Sequence, residues 1–237
     1  MEIKTILFDL DGTLLPMDQE KFIEAYFGLL AAKLAPLGYE AKKLHKGLFA
    51  GIGAMVKNDG TASNEEAFWR TFCAVFGGKA RDDEPQFAAF YQNEFQRVRD
   101  ACGYDARMSG FIAGLREKGY RLVLATNPLF PQVATYSRIR WAGLKPEDFD
   151  LVTTYENSSF CKPDIRYYRQ IVDKLGLDPR ECLMVGNDVG EDMAASALGM
   201  KTFLLTPCLI NRTGEDIAKY PNGGLEALES YILSLKA

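Results

Sequence analysis

The chain has 237 residues, 47% hydrophobic and 25% charged, the proportions of a globular protein, which exclude a mainly disordered one. Lys and Arg number 28 against 32 Asp and Glu, a net charge of −4, so there is no basic footprint for nucleic acid. The single histidine, His45, excludes a multi-histidine zinc site and confines any Ser-His or Cys-His chemistry to one residue. The first predicted element is a short, apolar, β-favouring run at 3–8 that stops at an acid, Asp9, as a buried strand does. From 16 to 106 the pattern is helical throughout. Phe22, Tyr26, Leu30 and Leu34 recur at i+4, as do Phe68, Phe72 and Phe76, and Phe87, Phe90, Tyr91 and Phe95 form a third stripe.

After Ser109 the pattern changes. A short helix around 111–115 ends at Gly119, and strands are predicted at 121–126, 149–154, 182–185 and 201–205. Helices are predicted between and after them at 131–141, 165–175, 191–198 and 225–235. Strands alternating with short helices imply crossovers and a mostly parallel sheet. The fold class is therefore α/β, a Rossmann-like parallel sheet core of residues 1–15 and 107–237, with an all-helical domain inserted at 16–106. The aromatic stripes of the insertion read as its own core, with one or two rings left for a substrate pocket.

His45 lies in the charged helical stretch AKKLHKG and reads as a surface residue. The five cysteines, 73, 102, 161, 182 and 208, have no CxxC spacing and read as free thiols in a reducing, cytoplasmic setting. The apolar run before Asp9 is too short for a signal peptide, and no stretch reaches the roughly 18 apolar residues of a membrane span. No membrane or nucleic-acid partner is expected, and no feature sets an oligomeric state.

In an open parallel sheet, ligands bind outside the carboxyl ends of the strands. The first strand ends in Asp9-Leu10-Asp11-Gly12-Thr13, the second in Thr126-Asn127. The third leads to Lys162-Pro163, and the fourth ends in Gly186-Asn187-Asp188, with Asp192 four residues on. Carboxylates without histidine or thiolate suit a hard cation, Mg²⁺. A lysine and a hydroxyl beside it would hold the other oxygens of a phosphoryl group. Each residue also has a plain structural reading: the aspartates as helix N-caps, Asp192 as a first-turn acid, Thr126 as a strand residue, Lys162 as a solvated loop residue, Asn127 as a turn residue. Gly51-Ile52-Gly53 is too isolated to be a phosphate loop, and Asp59-Gly60-Thr61 repeats DGT without a preceding strand, as a helix-ending turn.

With these four segments in this order, the chain resembles the haloacid dehalogenase superfamily of hydrolases. Motif one is FDLDGT at 8–13, motif two Thr126 with Asn127, motif three Lys162-Pro163-Asp164, and motif four Gly186-Asn187-Asp188 with Asp192. The resemblance implies that Asp9 is a nucleophile forming an aspartyl-phosphate and Asp11 a general acid, then base. Thr126, Asn127 and Lys162 would contact the phosphoryl group. Asp9, the Asp11 backbone carbonyl and Asp188 would ligate Mg²⁺, with Asp192 in support, and the insertion would be the family's helical cap. Motif four more often reads Gly-Asp at the strand end, so Asn187 is a departure. The resemblance implies a Mg²⁺-dependent phosphatase acting on a small phosphorylated metabolite. A phosphomutase acting on a sugar phosphate, or a non-catalytic regulatory member, are the alternatives.

Overall fold

A computed structural model describes residues 2–235. Six strands form one parallel sheet: β1 (Thr5–Phe8), β2 (Arg121–Leu124), β3 (Leu151–Val152), β4 (Cys182–Gly186), β5 (Lys201–Leu205) and β6 (Asn222–Gly223), in the order β3-β2-β1-β4-β5-β6. β1 is central. Thr5 pairs with Arg121 on one side and Cys182 on the other, and Phe8 with Leu124 and Val185. Its continuous apolar run suits a strand covered on both faces, and period-2 alternation sorts its side chains. Ile6 and Phe8 join one buried cluster, with Phe111, Ile112 and Leu115 of α6 (Arg107–Glu117), Ile139 of α7 (Gln132–Trp141) and Leu228 and Ile232 of α9 (Leu225–Ser234). Leu7 joins the other, with Tyr167, Tyr168, Ile171 and Val172 of α8 (Ile165–Leu175).

Between β1 and α6 stand α1 (Gln19–Leu34), α2 (Ala41–Val56), α3 (Asn64–Phe76), α4 (Lys79–Asp82), α5 (Glu84–Gln92) and a 3-10 segment, Glu94–Ala101. Their starts are chemically marked. The Asp18 carboxylate accepts from the Glu20 and Lys21 amides, and Ser63 and Glu66 close a capping box on α3. α2 and α3 pack closely because Gly47 and Gly51 leave room for Phe72, Phe76 and Phe68; a Cβ at either glycine would lie 2.5 Å from a ring carbon. Gly51 is thus a helix-packing residue, as its weakness as a phosphate loop implies. The two strands of chain entering and leaving the block are tied together, Gly103 N–H donating to the Pro16 carbonyl at 2.7 Å.

Several expectations are corrected. The insertion's aromatics bury largely against one another, but the core they form is not separate from that of the α/β part. Phe22, Tyr26 and Phe95 also pack on Phe130 of the α/β part, at 6.2, 5.4 and 6.5 Å between ring centroids, and Phe95 lies 5.0 Å from Trp141. One hydrophobic cluster runs through both parts. The strand expected over 149–154 is shortened to Leu151–Val152, flanked by amide bonds from Asp150 and Thr153 to the Leu122 and Leu124 carbonyls at 2.8 and 3.0 Å. The helix expected over 191–198 is a 3-10 segment, Met193–Leu198: Glu191 and Asp192 are held in the site instead. β6 went unforeseen, since two polar residues carry no strand signal. His45 is exposed, its ring against Phe27 and Phe49 at 5.0 and 4.5 Å, and all five cysteines are free.

Candidate active site

The carboxyl end of β1 delivers Asp9, which stays in the ladder through its amide to the Val185 carbonyl at 2.9 Å. The chain then turns sharply: Gly12 N–H donates to the Leu15 carbonyl at 2.8 Å, and Leu15 N–H to the Leu10 carbonyl at 2.9 Å. Gly12 sits at φ +86, where a side chain is strained, and a Cβ there would lie 2.3 Å from Asn187 Nδ2. Asn187 is the clamp on this turn. Its Oδ1 accepts from the Thr13 hydroxyl at 3.0 Å, and its Nδ2 donates to the Cys208 carbonyl at 2.7 Å. The departure in motif four therefore has a structural job.

Behind Asp9 is a buried ionic chain. Lys162 Nζ donates to Asp9 Oδ1 at 2.8 Å and to Asp192 Oδ1 at 2.6 Å, and Asp192 Oδ2 accepts the Asp188 amide at 2.9 Å. Burial alone would lower the Lys162 amine, but the Asp192 and Asp9 carboxylates outweigh it and hold it well above its usual range. Burial pushes Asp192 up to about 7, against the pull of Lys162. Gly186 is required here, since a Cβ would lie 2.1 Å from the Asp192 carboxylate. Asp192 thus braces Lys162 and the Asp188 amide with both its oxygens.

Asp188 is held by the Gly190 and Glu191 amides on Oδ1 at 2.8 and 3.0 Å, and by Arg212 on Oδ2 at 2.6 Å. The Thr126 carbonyl takes the Thr153 and Tyr167 hydroxyls at 2.6 and 2.9 Å, which fixes the end of β2 and leaves the Thr126 hydroxyl uncommitted. Asn127 is a bridge between loops. Its Nδ2 donates to Glu191 Oε2 at 3.0 Å, and its Oδ1 accepts the Lys162 amide at 3.3 Å. Both ends of that amide are occupied by protein. Asp59 joins none of these contacts; it is exposed and accepts from the Thr61 amide and hydroxyl at 3.0 and 2.6 Å.

Three site residues escaped the sequence reading. Arg138 of α7 is fully buried, ion-paired to Asp11 Oδ2, and 4.5 Å above the Phe130 ring centroid. Its Nε and Asp11 Oδ1 are buried without a hydrogen bond among the described residues. Burial raises Asp11 above its ordinary value, and the Arg138 charge opposes that rise. The available signal was an arginine on the face of α7 that also carries Ala134 and Thr135. Arg212, on the loop after β5, reaches Asp188 and also Gln19 of α1 at 3.3 Å. Glu191, pushed up by burial, closes the site beside Asn127.

Among the described residues no group of three His, Cys, Asp or Glu side chains could hold a metal. Two carboxylates, Asp9 and Asp188, and the Asp11 carbonyl, which accepts no hydrogen bond among the described residues, follow the carboxyl ends of the paired strands β1 and β4. An oxygen-only set, short of full coordination, suits Mg²⁺, which keeps waters and takes phosphate oxygens. The residues fit that cation.

The model of the haloacid dehalogenase-like hydrolases matches residues 3–199. Relatives in sequence include the glyceraldehyde 3-phosphate phosphatase of Methanothermobacter thermautotrophicus, 29% identical over 92% of each chain. They also include the phosphoglycolate phosphatase of Nitrosospira multiformis, 26% identical over 86% of this chain and 83% of that one. In structure, a HAD phosphatase from Thermococcus onnurineus aligns over 98% of both chains with a TM-score of 0.58 at 20% identity. YfnB from Bacillus subtilis, bound to magnesium, aligns over 98% of this chain and 100% of its own, TM-score 0.56 at 19% identity. No helix among the described residues is long and apolar enough to cross a membrane. With a parallel sheet whose strand ends gather Asp9, Asp11, Lys162 and Asp188, and a family match over most of its length, the chain belongs to the haloacid dehalogenase-like hydrolases and is a phosphoester hydrolase.

Proposed function

We propose that the protein hydrolyses a small phosphomonoester, with Mg²⁺, through an aspartyl-phosphate on Asp9. The observation that carries this reading is the different treatment of two carboxylates two residues apart. Asp9 receives an ammonium proton from a buried lysine at 2.8 Å, the partner of an ionised nucleophile. Asp11 is raised by burial against the opposing charge of Arg138, the direction that favours a general acid. Asp9 attacks phosphorus and the ester oxygen leaves with the Asp11 proton. Asp11 then takes a proton from the water that attacks the aspartyl-phosphate, and Asp9 is regenerated with release of inorganic phosphate.

Lys162 and the Thr126 hydroxyl hold phosphoryl oxygens. Asn127 acts on the phosphate by setting the Lys162 backbone. Asp188, Asp9 and the Asp11 carbonyl would hold Mg²⁺, which would offset negative charge on the phosphoryl group. Asp192 supports from behind. Residues 1–15 and 107–237 form the catalytic core and 16–106 a cap. The relatives are named for glyceraldehyde 3-phosphate, phosphoglycolate and, in PpaX of Bacillus velezensis (24% identical over 84% of this chain and 82% of that one), pyrophosphate. Small phosphates with differing remainders support a shared reaction centre with a variable leaving-group site.

The test is hydrolysis of 4-nitrophenyl phosphate with and without Mg²⁺, with rapid-quench trapping of phosphoenzyme in the wild type and Asp9→Asn. Mg²⁺-dependent turnover with a trapped phosphoenzyme only in the wild type is expected. Phosphoenzyme in Asp9→Asn, or turnover indifferent to Mg²⁺, would overturn the reading.

A further inference from the structure

Between the helical block and the loop that follows Thr126 and Asn127 lies a cavity of about 430 Å³, within the range of small-ligand pockets. Tyr26, Phe27, Trp69, Phe87, Tyr91 and Phe130 supply much of its wall. Its charged groups all have one sign. Glu65, Glu84 and Glu156 line it, and no lysine or arginine does. Two of the three are engaged elsewhere: Glu84 pairs with Arg81 at 3.2 Å, and Glu156 accepts the Gln132 amide at 2.8 and 3.1 Å.

Glu65 has no hydrogen bond or ion pair from its carboxylate among the described residues. Burial raises it, and the neighbouring Glu156 and Glu84 raise it further, against Arg81. The Trp69 indole N–H, on a residue 5% exposed, lies by the Tyr155 hydroxyl and favours that group's ionised form. A carboxylate with no direct partner among the described residues and electron-rich ring faces both attract a cation, although the Trp69 ring already carries the Arg81 guanidinium at 5.2 Å.

The cavity adjoins the reaction centre. Phe130 forms part of its wall and also lies under the guanidinium of Arg138, whose other partner is Asp11. Tyr26, on the same wall, is close enough to feel the Arg138 charge. Phe130 and Arg138 thus link the cavity wall to the proposed general acid.

We propose that this cavity receives the alcohol part of the substrate, and that this part is an aromatic or bulky apolar group carrying a basic or quaternary nitrogen. The assignment of the cavity to the leaving group rests on the phosphatase reading above. A remainder with a second anionic group, such as glycolate or phosphate, would meet three carboxylates and no cation there.

The experiment has one arm that needs no turnover and one that does. Benzyltrimethylammonium and benzylsulfonate, similar in size and opposite in charge, are titrated into the wild type, Glu65→Gln and Glu65→Lys by calorimetry. The cation is expected to bind the wild type one to one, the anion not. Glu65→Gln should weaken the cation about tenfold, of the order of one partly desolvated cation contact, and Glu65→Lys should abolish its binding. In the second arm, benzyltrimethylammonium should compete with 4-(aminomethyl)benzyl phosphate. Glu65→Gln should lower kcat/KM for that ester, relative to benzyl phosphate, by a similar factor. Equal binding of the two probes, or a cation affinity indifferent to residue 65, would overturn the ligand class. Non-competitive behaviour would overturn the leaving-group role. Absence of hydrolysis for both esters with the cation still bound would overturn the phosphatase reading, and with it the leaving-group role, while the ligand class stood on the binding arm.

Discussion

Replacing Lys162 by Met should destabilise the metal-free protein by about 3–5 kcal/mol, the cost of leaving buried charge without its partner. The side chains of Lys162, Asp9 and Asp192 are 0%, 11% and 1% exposed, with nitrogen–oxygen distances of 2.8 and 2.6 Å. At an effective dielectric of about 20, each contact is worth about 6 kcal/mol of attraction. Desolvating three charges costs several kcal/mol each, so the intact cluster contributes little net stability. Methionine fills the same space, so packing loss is small, but it leaves two carboxylates facing one another in a dry site. Lys162→Met/Asp192→Asn removes one of those charges and should recover about 2 kcal/mol or more.

The deficit also carries a pH sign. Burial already raises Asp192 against the pull of Lys162, so without the lysine it rises further. A carboxyl raised in the folded state above its unfolded value binds its proton more tightly when folded, so stability falls as pH climbs between the two. The variant should therefore lose less relative to wild type at pH 5 than at pH 8. Urea unfolding, followed by far-ultraviolet circular dichroism and tryptophan fluorescence with coincident transitions, measures all three quantities. A loss under about 1 kcal/mol, or a double variant less stable than the single one, would refute the argument that Lys162 compensates buried charge.

Asp11→Asn should keep Mg²⁺ affinity by calorimetry, because a backbone carbonyl is the proposed ligand, and lose about 10²–10⁴ in kcat/KM for alkyl phosphates. Its loss on 4-nitrophenyl phosphate, whose leaving group needs no proton, should be smaller, and equal losses would sink the general-acid role. Gly12→Ala forces a side chain at φ +86 into Asn187 Nδ2, so it should cost about 1–3 kcal/mol in urea unfolding and lower turnover by moving Asp9 and Asp11. Asp59→Ala removes only contacts to Thr61, and its turnover should match wild type; a loss comparable to Asp9→Asn would place the second DGT in the site after all.

The parts legible in the sequence were those that follow from short-range rules. β1 showed itself because Ile6, Leu7 and Phe8 are buried on two faces and need no alternation. The α1 stripe of Phe22, Tyr26, Leu30 and Leu34 is buried as its spacing implies. Elements that border the site were not legible. β3 is shortened to two residues, with the Thr153 hydroxyl on the Thr126 carbonyl beyond it, and the segment after Asp188 cannot start a full helix while Asp192 is turned back to Lys162 and the Asp188 amide. In the second place tertiary hydrogen bonds override a local preference that periodicity alone can see.

The site divides along the same line. Asp9, Asp188 and Asp192 come together because each follows a strand's carboxyl end, and Lys162 joins them from the long loop after β3, since in a parallel sheet those ends share one edge. Arg138 and Arg212 belong to no strand end. Arg138 reaches Asp11 from the second turn of α7, beside the Phe130 ring, and Arg212 reaches Asp188 from a loop while also touching Gln19 at the start of α1. Both arginines stand where the helical block meets the catalytic edge, and each holds a carboxylate of the proposed reaction centre. A displacement of the block acts on Asp11 through Phe130, which packs against Phe22 and Tyr26 of α1, and on Asp188 through Gln19. The proposed acid and the proposed metal ligand are thereby both connected to α1, one through Phe130 and the other through Arg212 and Gln19.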